Sequence, residues 1–279
     1  YTAARQYLDK AIARLKWRND NPADPEPIYQ KARMELLEGN FDAAYGLFAD
    51  ASWQFGWRSA CLYEMACIDC RRGDKNLAVQ HLQESLETNG SHFAARSLLG
   101  YLTGSPEELN RVLSKAPQDT FARYGLWLLE GAELPAFIRS RPQDVIDAAL
   151  DFLRAGLREE AVKILSTCTK EDQMVNYYAA YASGAPASHC DLTWCFPNRL
   201  EDIPVLHRFA GDWQAQYLLG CLYYDRMNYP AALAAWRESA RLNPEYAFTW
   251  RNLAQASFDH FDAPADARTY LEKALTLAP

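Results

Sequence analysis

The chain has 279 residues, enough for two ordinary globular domains or for one elongated repeat array. Apolar residues make up 49% of it, which excludes a disordered polymer, and the net charge of −7 disfavours nucleic acid as a partner. No apolar run approaches the roughly 18 residues of a membrane span, so we expect no membrane partner either.

The first predicted element is a single leading helix at 1–16. It reads as the second helix of a truncated repeat unit, because Ala4, Leu8 and Ala11 fall on one helical face. The segment 17–27 is rich in Pro, Asn and Asp and is predicted to be a linker. Since the sequence shows neither an initiator Met nor a signal peptide, we interpret it as part of a longer protein.

From residue 26 onwards, the sequence repeats with a period of 34 residues. Gly39 and Gly73 are separated by this period, and so are the small residues Ala32 and Ala66. A period of about 20–50 residues is typical of solenoids, in which each unit buries its apolar face against the next. Regular units are predicted at 26–56, 57–90, 142–171, 212–244 and 245–279.

Each unit is predicted to be two antiparallel helices joined by a tight turn. Small residues are expected where the helices cross, because closely spaced axes leave no room for larger side chains. Gly39, Gly73 and Gly156 are expected to end the first helix, where a positive φ suits Gly best. Larger residues should fill the space beside the crossing, at Phe48, Leu82, Leu165, Trp236 and Leu271, while Pro244 and Pro279 follow the second helix.

Two stretches depart from the period. Residues 91–141 are expected to form degenerate units with short helices. Residues 184–198 are predicted to be a loop insertion, whose Trp194, Phe196 and Pro197 we interpret as a plug over an imperfect stack; the alternative is a functional loop. The predicted fold class for 17–279 is all-α, a solenoid of stacked antiparallel helix pairs, with about seventeen helices along the chain and no strand.

The repeat resembles the tetratricopeptide repeat, most clearly in the WxxLA motif at 250–254 and the LGxxY motif at 219–223. The stretches 39–74, 195–206 and 217–254 are also similar to a family of large cytoplasmic bacterial proteins. In that family, a region of unknown function similar to sugar-mutarotase β-sandwiches precedes a tetratricopeptide tail. The resemblance implies that this chain is such a C-terminal tail, and that any carbohydrate chemistry belongs to the preceding region.

Seven cysteines lie scattered through predicted helices, which indicates reduced thiols and a cytoplasmic location. Cys67 and Cys70 form a CxxC in the middle of a helix, but no second CxxC completes the four ligands of a zinc site. The remaining candidate ligands are Cys61, His189, Cys190, Cys195 and His207. We expect the thiols to pack as small apolar groups, with no metal and no cofactor.

The sequence contains no nucleophile elbow, no metalloprotease motif and no phosphate-binding loop. The acidic pairs Glu107–Glu108 and Glu159–Glu160 are predicted at helix starts, where a negative charge favours the helix dipole. We therefore expect this chain not to be an enzyme.

In tetratricopeptide arrays, one face of the first helix of each unit lines a concave groove. By the resemblance, this face presents tyrosines and arginines, the side chains that dominate protein interfaces. The alternative is that the tyrosines only thicken the seam between helices. The predicted partner-binding residues are Tyr29, Arg33, Tyr63, Arg71, Tyr217, Tyr224, Phe248, Arg251 and Asn252.

The sequence thus predicts a non-catalytic interaction scaffold. Its groove would bind a protein or peptide segment, or dock the N-terminal domain of the parent protein. The alternative is an accessory part of a carbohydrate-active protein that contributes to a composite sugar-binding site. A third interpretation, a helical toroid enzyme with acidic metal-binding clusters at helix ends, is not favoured.

Overall fold

The computed structural model of the protein describes residues 2–278, with side chains from Ala4 onwards. This described part contains seventeen helices and no strand, which confirms the all-α prediction. Packing divides the chain into two compact units, Tyr1–Lys170 (unit 1) and Glu171–Pro279 (unit 2). Within each unit, consecutive helices stack as antiparallel pairs, as the α-solenoid prediction requires.

Unit 1 is built mainly from the pairs α2–α3, α4–α5, α6–α7 and α10–α11. Its helices are α1 (Thr2–Leu15), α2 (Glu26–Leu37), α3 (Phe41–Ala51), α4 (Phe55–Arg71), α5 (Lys75–Thr88), α6 (Phe93–Thr103), α7 (Pro106–Lys115), α8 (Thr120–Glu130), α9 (Ala136–Arg139), α10 (Pro142–Arg154) and α11 (Arg158–Leu165).

Unit 2 is built mainly from the pairs α14–α15 and α16–α17, with α15 packed on α16 between them. Its helices are α12 (Gln173–Ser183), α13 (Asp202–His207), α14 (Trp213–Asp225), α15 (Tyr229–Leu242), α16 (Ala247–Phe261) and α17 (Pro264–Leu277).

Glycines with positive φ end the first helices in unit 1, as predicted. The φ angles of Gly39, Gly73 and Gly156 are 82°, 84° and 77°. In unit 2, the equivalent positions at the ends of α14 and α16 are occupied by Met227 and Asp262, with φ of 57° and 47°. These two residues adopt a left-handed conformation that is unfavourable for any side chain with a Cβ atom.

The small residues lie at helix crossings. A Cβ atom on Gly220 would come within 2.3 Å of the Trp236 ring, so α14 and α15 can pack this closely only through a glycine. The predicted fillers Phe48, Leu82, Leu165 and Trp236 are buried, which confirms them.

The expected filler Leu271 is wrong, because this side chain is 48% exposed. Helix α17 instead buries Ala267 and Ala274, and it contacts Trp250 of α16 through Tyr270. Pro244 follows the end of α15 as predicted, and Pro279 lies outside the described residues.

The loop at 184–198 is anchored by two buried glutamines. Gln173 Nε2 donates to Ser188 O (2.9 Å), and its Oε1 accepts from Cys190 N (2.8 Å). Gln214 Nε2 donates to Cys190 O (2.9 Å). The glutamine side chains thus form hydrogen bonds with backbone N–H and C=O groups of the loop, which has no helical hydrogen bonds of its own.

The side chains of the loop do not match the predicted aromatic plug. Trp194 and Phe196 are 82% and 62% exposed, so the expectation that they cover a stack is wrong for them. The loop turns Leu192, Cys195 and Pro197 inward instead. A turn at 193–194 separates Leu192 from Cys195, and inward and outward side chains alternate only from Cys195 to Pro197.

Candidate functional site

Helix α16 carries an exposed row of side chains that includes two predicted partner-binding residues. Phe248 and Phe258 are 52% and 67% exposed, and Arg251 lies between them on the same helical face. Among residues 2–278, the Arg251 guanidinium has neither a hydrogen bond nor an ion pair. We call this row, together with the neighbouring Asn252, the α16 face.

Helix α14 supports the α16 face from the adjacent helix pair. Asn252 Nδ2 lies 3.9 Å from Cys221 Sγ, and the Tyr217 ring meets Tyr246 edge-on at 5.1 Å. Burial raises the pKa of Tyr217 well above its ordinary value, and nearby Cys221 acts in the same direction. Tyr217 is therefore a neutral, partly buried contact between helices as well as a candidate ligand contact.

Tyr224 lies in an aromatic cluster that sequence reasoning missed. Its hydroxyl is 3.1 Å from His260 Nε2, and its ring is 5.5 Å from Trp236. The His260 ring stacks on Tyr229 with centroids 3.5 Å apart and an interplanar angle of 7°. Tyr224 and His260 are 36 residues apart, close to the repeat period, and that spacing is a signal that could have found the pair.

In unit 1, the predicted tyrosines pack within the helix seam. Tyr63 is only 5% exposed, so it presents no open surface to a partner. The Tyr29 ring lies 5.3 Å from Phe48 and 5.0 Å from Trp57. Its hydroxyl donates to Glu64 Oε1 at 3.5 Å. These two residues fit the alternative that tyrosines thicken the seam between helices.

Arg71 is exposed and lines an open pocket with Phe41 and Asp42, and it also bridges two helices. Its guanidinium donates to the carbonyl of Leu153 near the end of α10 and lies 4.7 Å over the Phe41 ring. A Cβ atom on Gly156 would come within 2.9 Å of Arg71 Cα, which shows how closely the end of α4 approaches the turn after α10. The contact spans 82 residues of sequence, so no local pattern could predict it. Arg33 is half-buried and also has an interaction within the fold.

A half-buried carboxyl group, also missed from the sequence, lies on α10: the Asp151 side chain is 24% exposed. Burial raises the pKa of Asp151 to about 7, and Arg154, whose Nη1 is 3.7 Å away, partly opposes this shift. The carboxylates of Asp119, Asp147 and Glu64 raise this pKa further. The signal in the sequence is an acidic residue placed within the apolar stretch of α10.

Burial disfavours the thiolate form of two cysteines on α4. Burial raises the pKa of Cys61 to about 12 and that of Cys67 well above its ordinary range, which keeps both thiols protonated. Cys70 also lies in α4, so the CxxC is helical as predicted. Within the described residues, no group of three or more His, Cys, Asp and Glu side chains could hold a metal ion.

The remaining candidate ligands and acidic pairs have other contacts. His189 Nδ1 is 2.8 Å from Gln214 Oε1, and His207 Nε2 is 2.9 Å from the Tyr223 hydroxyl. The acidic pairs lie in the first turns of α7 and α11, as predicted. Across the described residues, no helix has both the length and the apolar character needed to cross a membrane.

No protein-family model matches the chain. Similar solved structures include a crystal structure of MamA, with 12% identity and a TM-score of 0.25 over 75% of this chain and 91% of that one. MamA 41-end from Desulfovibrio magneticus RS-1 gives 13% identity and a TM-score of 0.26, covering 78% and 94% of the two chains. Yeast Tom70 gives 13% and 0.27, covering 97% and 66%. TM-scores this low support no conclusion about this chain, so its fold is assigned from its own helices and their packing.

Proposed function

We propose that the protein is a non-catalytic interaction module whose α16 face binds a protein segment. The observation that carries the proposal is Arg251, an exposed cation without a partner in the described chain, set between two exposed phenylalanines. Arginine and aromatic side chains supply most of the binding energy in protein interfaces, and a guanidinium offers a forked donor for a carboxylate.

The chemistry of the face defines the segment. A carboxylate pairs with Arg251, apolar side chains on either side cover Phe248 and Phe258, and the Asn252 amide bonds a backbone group. The segment belongs to another protein or to the N-terminal domain of a parent polypeptide; the sequence resemblance to the tail of large cytoplasmic bacterial proteins supports the second source. The residues of unit 1 do not enter the proposal, because Tyr63 is buried and Arg71 is engaged within the fold.

The test compares two arginine variants. A partner is first isolated by affinity capture with the wild-type chain and then titrated against Arg251→Ala and Arg237→Ala. Arg237 is a matched control, since it is exposed on α15 and has no partner in the described chain. Arg251→Ala should weaken binding by about 2 kcal/mol or more, with the thermal unfolding midpoint unchanged. Arg237→Ala should bind as the wild type does.

Equal affinities in the two variants would place the binding surface elsewhere. If the isolated chain bound glycans with the same affinity in both variants, the result would support the carbohydrate-binding alternative instead.

A further inference from the structure

A cavity of about 450 Å³ lies in unit 1, between the end of α8 and the turn that follows α11. Its wall consists of Trp127, the segment 131–134, Arg139 and the turn 166–169. Pockets that hold small molecules usually have volumes of about 300–1,000 Å³. The cavity shares no residue with the α16 face.

Arg139 has unused hydrogen-bonding capacity in this wall. Its Nε atom is buried and has no hydrogen-bond partner in the described part of the chain. No carboxylate among residues 2–278 forms an ion pair with its guanidinium. A buried N–H group without an acceptor is unfavourable, so an acceptor brought by a ligand would be stabilising.

The other polar groups of the wall leave this acceptor position open. Ser166 and Thr167 direct their hydroxyl protons at backbone carbonyls, with oxygen distances of 2.6 Å to Lys163 O and 2.7 Å to Ile164 O. Glu133 also lines the cavity, but it is exposed and has no bond to Arg139. The Trp127 ring adds an aromatic wall.

We propose that this cavity binds a small organic anion, in which one carboxylate or phosphate group is attached to an apolar body. The oxyanion accepts from the forked donors of Arg139, and the apolar body lies against Trp127. Guanidinium groups bind both kinds of oxyanion through paired hydrogen bonds, so the two sources share one recognition chemistry.

The test uses 5-fluorotryptophan-labelled full chain and fluorine NMR, with the Trp127 resonance assigned through Trp127→Phe. The probes are benzoate, phenyl phosphate, inorganic phosphate and the neutral benzamide. At least one of the two organic anions should shift the Trp127 resonance saturably, and whichever binds more tightly identifies the oxyanion. Benzamide should bind at least about tenfold more weakly, because it lacks the charge.

Arg139→Gln should weaken binding of the organic anion about tenfold or more, and Arg139→Lys, which keeps the charge without the fork, by less. Arg237→Gln, an exposed position outside the cavity, should bind as the wild type does. Because the benzamide comparison uses wild-type protein, the proposal stays testable if Arg139→Gln fails to fold.

Three results would overturn the proposal. They are equal binding of benzoate and benzamide, unchanged binding in both Arg139 variants, and the absence of a saturable shift with either organic anion. Tighter binding of inorganic phosphate than of both organic anions would also overturn it, since the apolar body would then contribute nothing.

Discussion

At the scale of single residues, Gly220 shows how the repeat depends on the absence of a side chain. The Trp236 ring that would meet its Cβ atom is 3% exposed, and its Nε1 donates to Tyr217 O at 3.1 Å, so the ring cannot move away freely. Gly220→Ala should therefore destabilise the fold by about 1–3 kcal/mol, as overpacked cores do.

Gly46 provides the control for that substitution. It lies within helix α3, and a Cβ atom there would meet nothing within 4 Å. Gly46→Ala should stabilise the protein by about 0.5–1 kcal/mol, because alanine favours the helix. Urea unfolding of both variants measures the difference. If the two substitutions had effects of the same sign, the close crossing of α14 and α15 would be contradicted.

In contrast to Gly220, Met227 is a position where the effect of a substitution on stability depends on the local backbone conformation and not on packing. Its side chain is 73% exposed and its φ is 57°, a conformation that favours glycine. Met227→Gly should stabilise the fold by about 1 kcal/mol, whereas Gly73→Ala, with a φ of 84°, should destabilise it by a similar amount. Thermal unfolding of both proteins tests the pair, and a loss of stability in Met227→Gly would contradict it.

At the scale of helices, the half-buried Asp151 of α10 makes stability depend on pH. Its pKa of about 7 in the folded state lies above the ordinary value near 4 of the unfolded chain. Between these two values, the folded protein holds a proton that the unfolded chain releases. The contribution of Asp151 to stability is therefore full below about pH 4 and is lost as the pH rises through 7.

Asp151→Asn isolates this contribution, because it keeps the shape and removes the titration. Relative to the variant, the wild type should lose roughly 2–3 kcal/mol of unfolding free energy between pH 5 and pH 8, because about two of the three pH units between the unfolded and folded pKa values fall in this range. Denaturant unfolding at both pH values gives the double difference. A double difference of zero would show that Asp151 titrates as a solvated carboxyl group does.

The loop between α12 and α13 depends on Gln214 and Gln173 for its position. Gln214→Ala removes the donor to Cys190 O, so the loop should detach locally while α12 and α14 remain folded. Hydrogen exchange measures this as faster exchange confined to the loop. Gln216→Ala is the control, since Gln216 donates to Ala210 O outside the loop. Unchanged exchange in the Gln214 variant would contradict the anchoring role.

The repeat period predicted the helices because it reports contacts between neighbours in sequence. The repeat positions of Ala66 and Phe48 indicated which side chains are buried at helix crossings. Contacts that skip whole units leave no such pattern. Arg71 therefore could not be placed at the end of α10, and the cavity around Arg139 could not be found, from the sequence alone.

The candidate site was predictable only in part, for a related reason. Helical spacing placed Phe248 and Arg251 on one exposed face. It could not distinguish a tyrosine between two helices from one on a surface. Tyr63 and Tyr217 occupy equivalent positions in the repeat, yet neighbouring helices cover Tyr63 more completely.

At the scale of the whole molecule, the chain combines two compact units of helix pairs with an exposed α16 face and no assembled metal site among its described residues. The central claim is that this face binds a protein segment. Photo-crosslinking in cells tests it most directly, with p-benzoylphenylalanine introduced in place of Phe258. As a control, the same residue replaces Ala234, which is exposed on α15.

The account predicts one dominant protein adduct from position 258, which is lost when Arg251→Ala is added and is absent from position 234. If the parent polypeptide supplies the segment, the adduct is an internal crosslink that peptide mass spectrometry locates. Equal adduct yields from positions 258 and 234, or a yield at 258 that Arg251→Ala leaves unchanged, would contradict the claim.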